Sequence, residues 1–172
     1  PVSGIMVYAK NPKAAASLST SLQQGKIEKW YQAVICGKPV DNNGTYVDYL
    51  KQDKKNNCSR IVDKSDPESK RAELEYKVLD CIQTEEKDPQ YLSLVEIKLL
   101  TGRHHQIRVQ FSGHGTPLYG DGKYGNNEKA VRKSLALCAC HLRFKHPATG
   151  RIMDFQIKPD TGAFKLFSKN IS

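Results

Sequence analysis

The sequence has no apolar run near the roughly 20 residues a membrane helix needs, so no membrane partner is expected. Its opening residues, PVSGIMVYAK, show no charged-then-apolar leader, and a secretory signal is not expected either. No internal repeat or low-complexity tract is present. Cysteine is sparse: Cys36, Cys58, Cys81, Cys138 and Cys140 are odd in number and widely scattered, which argues against a disulfide framework. Buried free thiols in a reducing, cytoplasmic compartment are the expectation. Cys138, Cys140 and His141 lie close together but fit no common zinc spacing. Strand alternation would instead put the two cysteines on one sheet face, so no metal is expected there. Acidic residues are short relative to basic ones, 18 Asp and Glu against 27 Lys and Arg, a formal charge of +9. Such an excess says nothing about fold. It makes a polyanion the first partner to consider, because clustered cations release counterions from phosphates.

What is present suits one domain over residues 1–172: the chain is 172 residues long and 38% hydrophobic, enough for a core. Residues 4–9, GIMVYA, read as a short strand. Asn11-Pro12 reads as a helix start, with Ala14, Ala15, Leu18 and Leu22 along the helix and Gly25 placed to end it. Residues 29–37, KWYQAVICG, form a strand with Tyr31, Ala33 and Ile35 facing one way. A turn at 39–44 leads into a polar stretch, 45–67, with only short strand-like pieces. Residues 71–83 and 91–100 read as two strands of a hairpin through a charged turn at 84–89. Residues 105–113 read as about two helical turns, 135–144 and 151–157 as a second hairpin, and 163–169 as a short terminal helix. The pattern predicts an α+β domain with a mixed, mainly antiparallel central sheet and few flanking helices.

The densest chemistry lies in 101–125, TGRHHQIRVQFSGHGTPLYGDGKYG. A strand-to-helix junction with free N–H groups can hold a polyanion. Arg103 and Arg108 add forked donors for phosphate or carboxylate.

These residues resemble the RluA-type pseudouridine synthases. TGRHHQIR followed by the PLYGDGKYG stretch is similar to that family's TGR-x-HQIR-V and GD-x-x-YG pattern. Three further stretches fall in the family's order. VSGI with Tyr8-Ala9-Lys10 resembles the end of an HRLD-x-x-x-SG motif; KWYQAV resembles K-x-Y-x-A-x-V; LCACHL through HPATG resembles LHA-x-x-L-x-F-x-HP-x-TG. Leu137-Cys138-Ala139 departs from LHA, with cysteine in place of histidine. The family's catalytic aspartate would fall two positions before Pro1, so the expectation is a catalytic domain whose N-terminal part, HRLD motif included, lies outside these residues and which is inactive as it stands.

The resemblance implies an isomerase that converts uridine in structured RNA, ribosomal or transfer, to pseudouridine without cofactor or metal. It assigns Arg108 as the partner of the missing carboxylate and Tyr31 as the active-site tyrosine. Lys29, Arg103, His105 and Gln106 are expected in RNA contact or loop order, and Asp121 in a turn. A cleft shared by Tyr31, Arg103 and Arg108 is expected. No obligate protein partner is inferred, and a monomer is expected. Two other readings compete: a non-catalytic RNA-binding module, and a zinc-dependent deaminase or nuclease suggested by the histidines and cysteines.

Overall fold

The computed structural model describes residues 2–85, 90–125 and 134–167. Its elements in chain order are β1 (Ser3–Gly4), α1 (Pro12–Gln23), β2 (Glu28–Cys36), β3 (Asn43–Asp53), β4 (Cys58–Val62), β5 (Lys70–Gln83), β6 (Tyr91–Leu99), α2 (Gln106–Gly113), β7 (Leu137–Lys145), β8 (Ile152–Gln156) and a closing 3-10 turn, Gly162–Phe167. The eight strands form one sheet in the order β1-β7-β2-β6-β5-β3-β4, with β8 also on β7. Every pairing is antiparallel except that of β1 with β7. The fold is therefore the α+β class that the strand pattern predicts.

Alternation along the central strands builds the core. Ala33 and Ile35 of β2, Leu74 of β5 and Val95 and Ile97 of β6 meet Ile107 and Phe111 of α2 on one face. Val34, Leu92, Leu94 and Cys138 face the other way, onto Phe164 and Phe167 of the 3-10 turn. Each buried Val, Leu, Ile or Phe among these contributes about 1.5–3 kcal/mol by leaving water. The last predicted residues of the terminal helix, 168 and 169, lie outside the described residues, as do 86–89 of the charged turn.

Three expectations are corrected. The GIMVYA strand is only Ser3–Gly4. β2 occupies one edge of β7, so β1 and β8 must share the other. β8 takes His141 onward, and Ile157 N–H donates to the Cys140 carbonyl. Residues 5–9 have no free edge to extend along. The polar stretch after Gly44 holds an 11-residue strand, β3, rather than short pieces. It pairs with β5 through eight residues, from Asn43–Lys77 to Leu50–Lys70, and its exposed residues are polar except Val47. Cys138 and Cys140 do not follow simple alternation. Trp30 pairs with His141 while Tyr31 pairs with Ala139, leaving Cys140 as the extra residue of a bulge. All five cysteines are free; Cys138 and Cys140 are buried, and Cys36, Cys58 and Cys81 only half-buried.

α1 starts as its sequence dictates. Asn11 accepts the Ala14 N–H at 2.9 Å, Pro12 occupies the first turn, and Gly25 follows the end at φ +66°. Yet no residue of α1 is buried.

Gly4 shows why β1 requires glycine. Its φ is +122°, and a Cβ there would collide with the Ala139 backbone. That close approach seats residues 2–6 beside β7.

Candidate active site

The TGRHHQIR segment is the junction between β6 and α2. Thr101 and Gln106 knot it. The Thr101 hydroxyl accepts the Glu73 N–H at 2.7 Å and lies 2.8 Å from the Gln106 side-chain oxygen. That oxygen also accepts the Arg103 N–H at 2.9 Å, while the Gln106 amide nitrogen donates to the Glu73 carbonyl at 3.0 Å. Gln106 is buried and spends its amide on loop order. Arg103 is exposed; its Nε donates to the Arg71 carbonyl at 2.9 Å, which holds the stem and leaves the guanidinium ends outward.

Arg108 projects from the first turns of α2. Its Nε and one terminal nitrogen grip both oxygens of Asp121 at 2.8 and 2.7 Å. The Asp121 side chain is fully buried and also accepts the Lys123 and Tyr124 N–H groups, each at 3.0 Å. Burial would raise the Asp121 carboxyl, but Arg108 and those N–H groups outweigh it and hold the pKa below the ordinary carboxylate value. Asp121 is thus the turn residue of the glycine-rich loop and, in addition, the anion paired with Arg108. The Tyr124 ring lies under the same guanidinium, 4.9 Å from its carbon.

These residues meet. A cavity of about 540 Å³ is lined by Tyr31, Arg103, His105, Gln106 and Arg108, with residues 2–6 along one wall. Tyr31 arrives from β2, opposite the bulge on β7, half-buried. Burial raises its phenol pKa above the ordinary value, and Cys140 adds to the shift, so the ring is neutral near pH 7. Among the described residues no Asp or Glu lines this cavity. Lys29 is placed elsewhere: it lines an adjoining groove of about 840 Å³ with Lys98, and burial lowers its pKa. A third recess carries Lys51, Lys54, Lys70 and His104. Arg103 lies at the rim of all three.

His104, at the variable position of TGR-x-HQIR, carries no individual signal in the sequence. His104 and His105 stack at 3.8 Å. His104 Nδ1 is 2.9 Å from the Ser59 hydroxyl, and His104 Nε2 is 3.1 Å from the Asn57 side chain. The Tyr124 hydroxyl accepts the Ser59 N–H at 2.8 Å and lies 2.8 Å from His105 Nδ1. Tyr124 stands in the GD-x-x-YG stretch, which is a usable signal for its importance. Nothing in the sequence marks Ser59. Among the described residues no group of three or more His, Cys, Asp or Glu side chains could hold a metal. His141 instead stacks on Trp30 at 4.1 Å and bonds Asp154 at 2.8 Å.

The family model described as RNA pseudouridylate synthase matches residues 1–113. An uncharacterized RNA pseudouridine synthase of Bacillus subtilis (strain 168) is 36% identical over 154 residues, covering 90% of this chain and 48% of the relative. Ribosomal large subunit pseudouridine synthase D of Zymomonas mobilis is 34% identical over 161 residues, covering 89% and 48%. The chain spans about half the length of the curated relatives it matches. Among solved structures, Human RNA Pseudouridylate Synthase Domain Containing 1 superposes with a TM-score of 0.73 at 24% identity, over 88% of this chain and 62% of that one; the likeness concerns fold. From motif order, fold and family match together, the chain belongs to the RNA pseudouridylate synthase family, in its RluA-type branch.

Proposed function

We propose that these residues form the body of the active site of an RNA pseudouridine synthase that isomerises uridine in structured RNA. The observation that carries this reading is the single cavity in which Tyr31, Arg103, His105 and Arg108 converge from sequence-distant strands and loops. The nucleophile is the aspartate of an HRLD motif, two positions before Pro1. Val2 lines the cavity. A residue three positions earlier lies within about 10 Å of it along the chain.

The reaction breaks the C1′–N1 bond with its electron pair going to uracil. The ring turns, C1′–C5 forms, the C5 proton leaves and N1 gains one. Arg108 uses one edge on Asp121 and has donors left for a second carboxylate, since a guanidinium carries five N–H groups. It keeps the nucleophile ionised in a dry pocket. Tyr31 packs on the uracil face and assists proton movement at C5. A target uridine must leave its stack, which costs a few kcal/mol. Phosphate contacts at Arg103 and along the Lys29–Lys98 groove offset that cost.

Ribosomal and transfer RNA are both candidate substrates. Relatives named ribosomal large subunit pseudouridine synthase C and D make large-subunit ribosomal RNA the first to test. The test is tritium release from C5-labelled uridine RNA, using a protein extended upstream through HRLD. No turnover on either RNA pool would favour the alternative, a non-catalytic RNA-binding module.

Two outcomes follow for that extended enzyme. Tyr31→Phe keeps the ring and removes the hydroxyl. Its turnover should fall by about 10²–10⁴-fold, while RNA affinity stays within about threefold. RNA affinity should fall steeply with salt, with a log–log slope of several counterions. Arg103→Ala should make that slope shallower by about one unit; an unchanged slope would remove Arg103 from the phosphate path.

A further inference from the structure

The side chain of His105 is held in an unusual way. Its φ is +54°, a left-handed backbone conformation that non-glycine residues rarely adopt. Observed strain of this kind calls for something that over-determines it. Here that is a chain of contacts between three separate segments. Ser59, at the start of β4, donates its N–H to the Tyr124 hydroxyl at 2.8 Å. That hydroxyl lies 2.8 Å from His105 Nδ1. The Tyr124 and His105 rings meet edge-on at 5.5 Å, and His104 covers His105 at 3.8 Å.

Hydrogen-bond direction follows from the donor count. A backbone N–H can only donate, so the phenol oxygen is the acceptor for Ser59. Its own proton then needs an acceptor, and the nearest one is Nδ1. An imidazole that accepts at Nδ1 carries its proton at Nε2. Among the described residues Nε2 has no partner, and His105 lines the same cavity as Tyr31 and Arg108. Burial first, then the neighbouring Arg108, His104 and Lys123, lower its pKa to about 4, against a smaller opposing pull from Asp121. The ring is therefore uncharged through the physiological range.

We propose that Tyr124 is a positioning residue that fixes His105 as the Nε2–H tautomer, and that this neutral N–H is the donor received by an exocyclic carbonyl oxygen of the target uracil. The proposal rests on the reading that the cavity takes uridine. Its chemical sense lies in the leaving group. When C1′–N1 breaks, the electron pair spreads from N1 onto the two carbonyl oxygens. A preset donor at one of them strengthens as that charge develops, without transferring its proton. An imidazolium would serve worse, because it would stand against the Arg108 guanidinium and compete for the catalytic carboxylate. Uracil bears carbonyl oxygens at both exocyclic positions, whereas cytosine presents an amino group at one, so the donor also bears on base choice.

The first measurement needs only residues 1–172: nitrogen-15 NMR of the imidazole from pH 8 to 5. The expected signature is a protonated Nε2 and a hydrogen-bonded, unprotonated Nδ1 across the whole range. Tyr124→Phe should collapse it to mixed tautomers with a raised pKa. A protonated Nδ1 in the wild type would overturn the proposal whatever the enzyme does. The second uses the enzyme extended through HRLD. His105→Ala should lose more than about fiftyfold in kcat with KM for RNA within threefold, and His105→Gln, which returns an N–H donor, should recover at least tenfold of it. Alanine and glutamine share the backbone strain, so it cancels in the comparison. Equal losses in the two variants, or a loss confined to KM, would overturn the donor role. A wild-type extended enzyme inert on every RNA would instead bring down the underlying function, while the tautomer result would still stand.

Discussion

A protein carrying HRLD immediately upstream should release tritium from C5-labelled uridine RNA, and residues 1–172 alone should release none. The expected gap is on the order of 10⁴-fold or more, the scale of losing a nucleophile. The reason is that among the described residues no carboxylate lines the cavity. The nearest anion in role is Asp121, and it is already committed. Both of its oxygens are gripped by Arg108, two backbone N–H groups share one of them, and its side chain has no solvent exposure. A carboxylate so fully satisfied is stable as an anion and poor as an attacking group. Turnover by residues 1–172 would mean that the loop around Gly120 opens to present Asp121, and Asp121→Asn would then abolish it. Replacing the upstream aspartate by asparagine should silence the extended enzyme while leaving its RNA affinity within about tenfold.

Asp121→Asn should cost the fold about 3–5 kcal/mol, read as a urea midpoint shift or as roughly 6–20 °C in Tm. The arginine side chain is 16% exposed and the aspartate 0%, so the variant leaves a buried guanidinium without its anion. Adding Arg108→Met should recover a substantial part of the loss, because removing both charges avoids the unpaired one. A double variant as damaged as the sum of the singles would show that the pair is not coupled. The pH dependence has a definite sign. The folded pKa of Asp121 lies below its unfolded value. Its contribution is therefore complete above the ordinary carboxylate pKa, near 4, and is lost as pH falls through the lower folded value. The wild type should show this acid loss; Asp121→Asn should lack that component.

Sheet-forming alternation is legible where a strand packs an apolar face against the core. β2, β5 and β6 alternate because one set of side chains meets α2 and, on the inner strands, the other meets the 3-10 turn. β3 is harder to see because its exposed residues are mostly polar and its length is set by pairing with β5. The apolar run GIMVYA misleads for a different reason. Hydrophobicity marks strand material, but a strand needs an edge, and β8 has taken it. At the site, the family resemblance implies a cleft shared by Tyr31, Arg103 and Arg108, and these three side chains line one cavity. The resemblance does not reveal the partner of Arg108, because Asp121 in a glycine-rich loop is equally well explained as a turn residue. Nor does it set Lys29 apart from the cavity, since that depends on which groove the first turn of β2 borders.

Because α1 buries no residue fully and only half-covers Ala14, Ser17, Leu18 and Ser21, its persistence leans on its Asn11 cap, its leading proline and intrinsic propensity. Twelve residues is close to the length at which an isolated helix is marginal in water. The helix is therefore expected to loosen before the sheet. Far-ultraviolet ellipticity will begin to fall while Phe111 and Ile97 are still packed. A single two-state free energy fitted to that signal will describe neither part of the molecule.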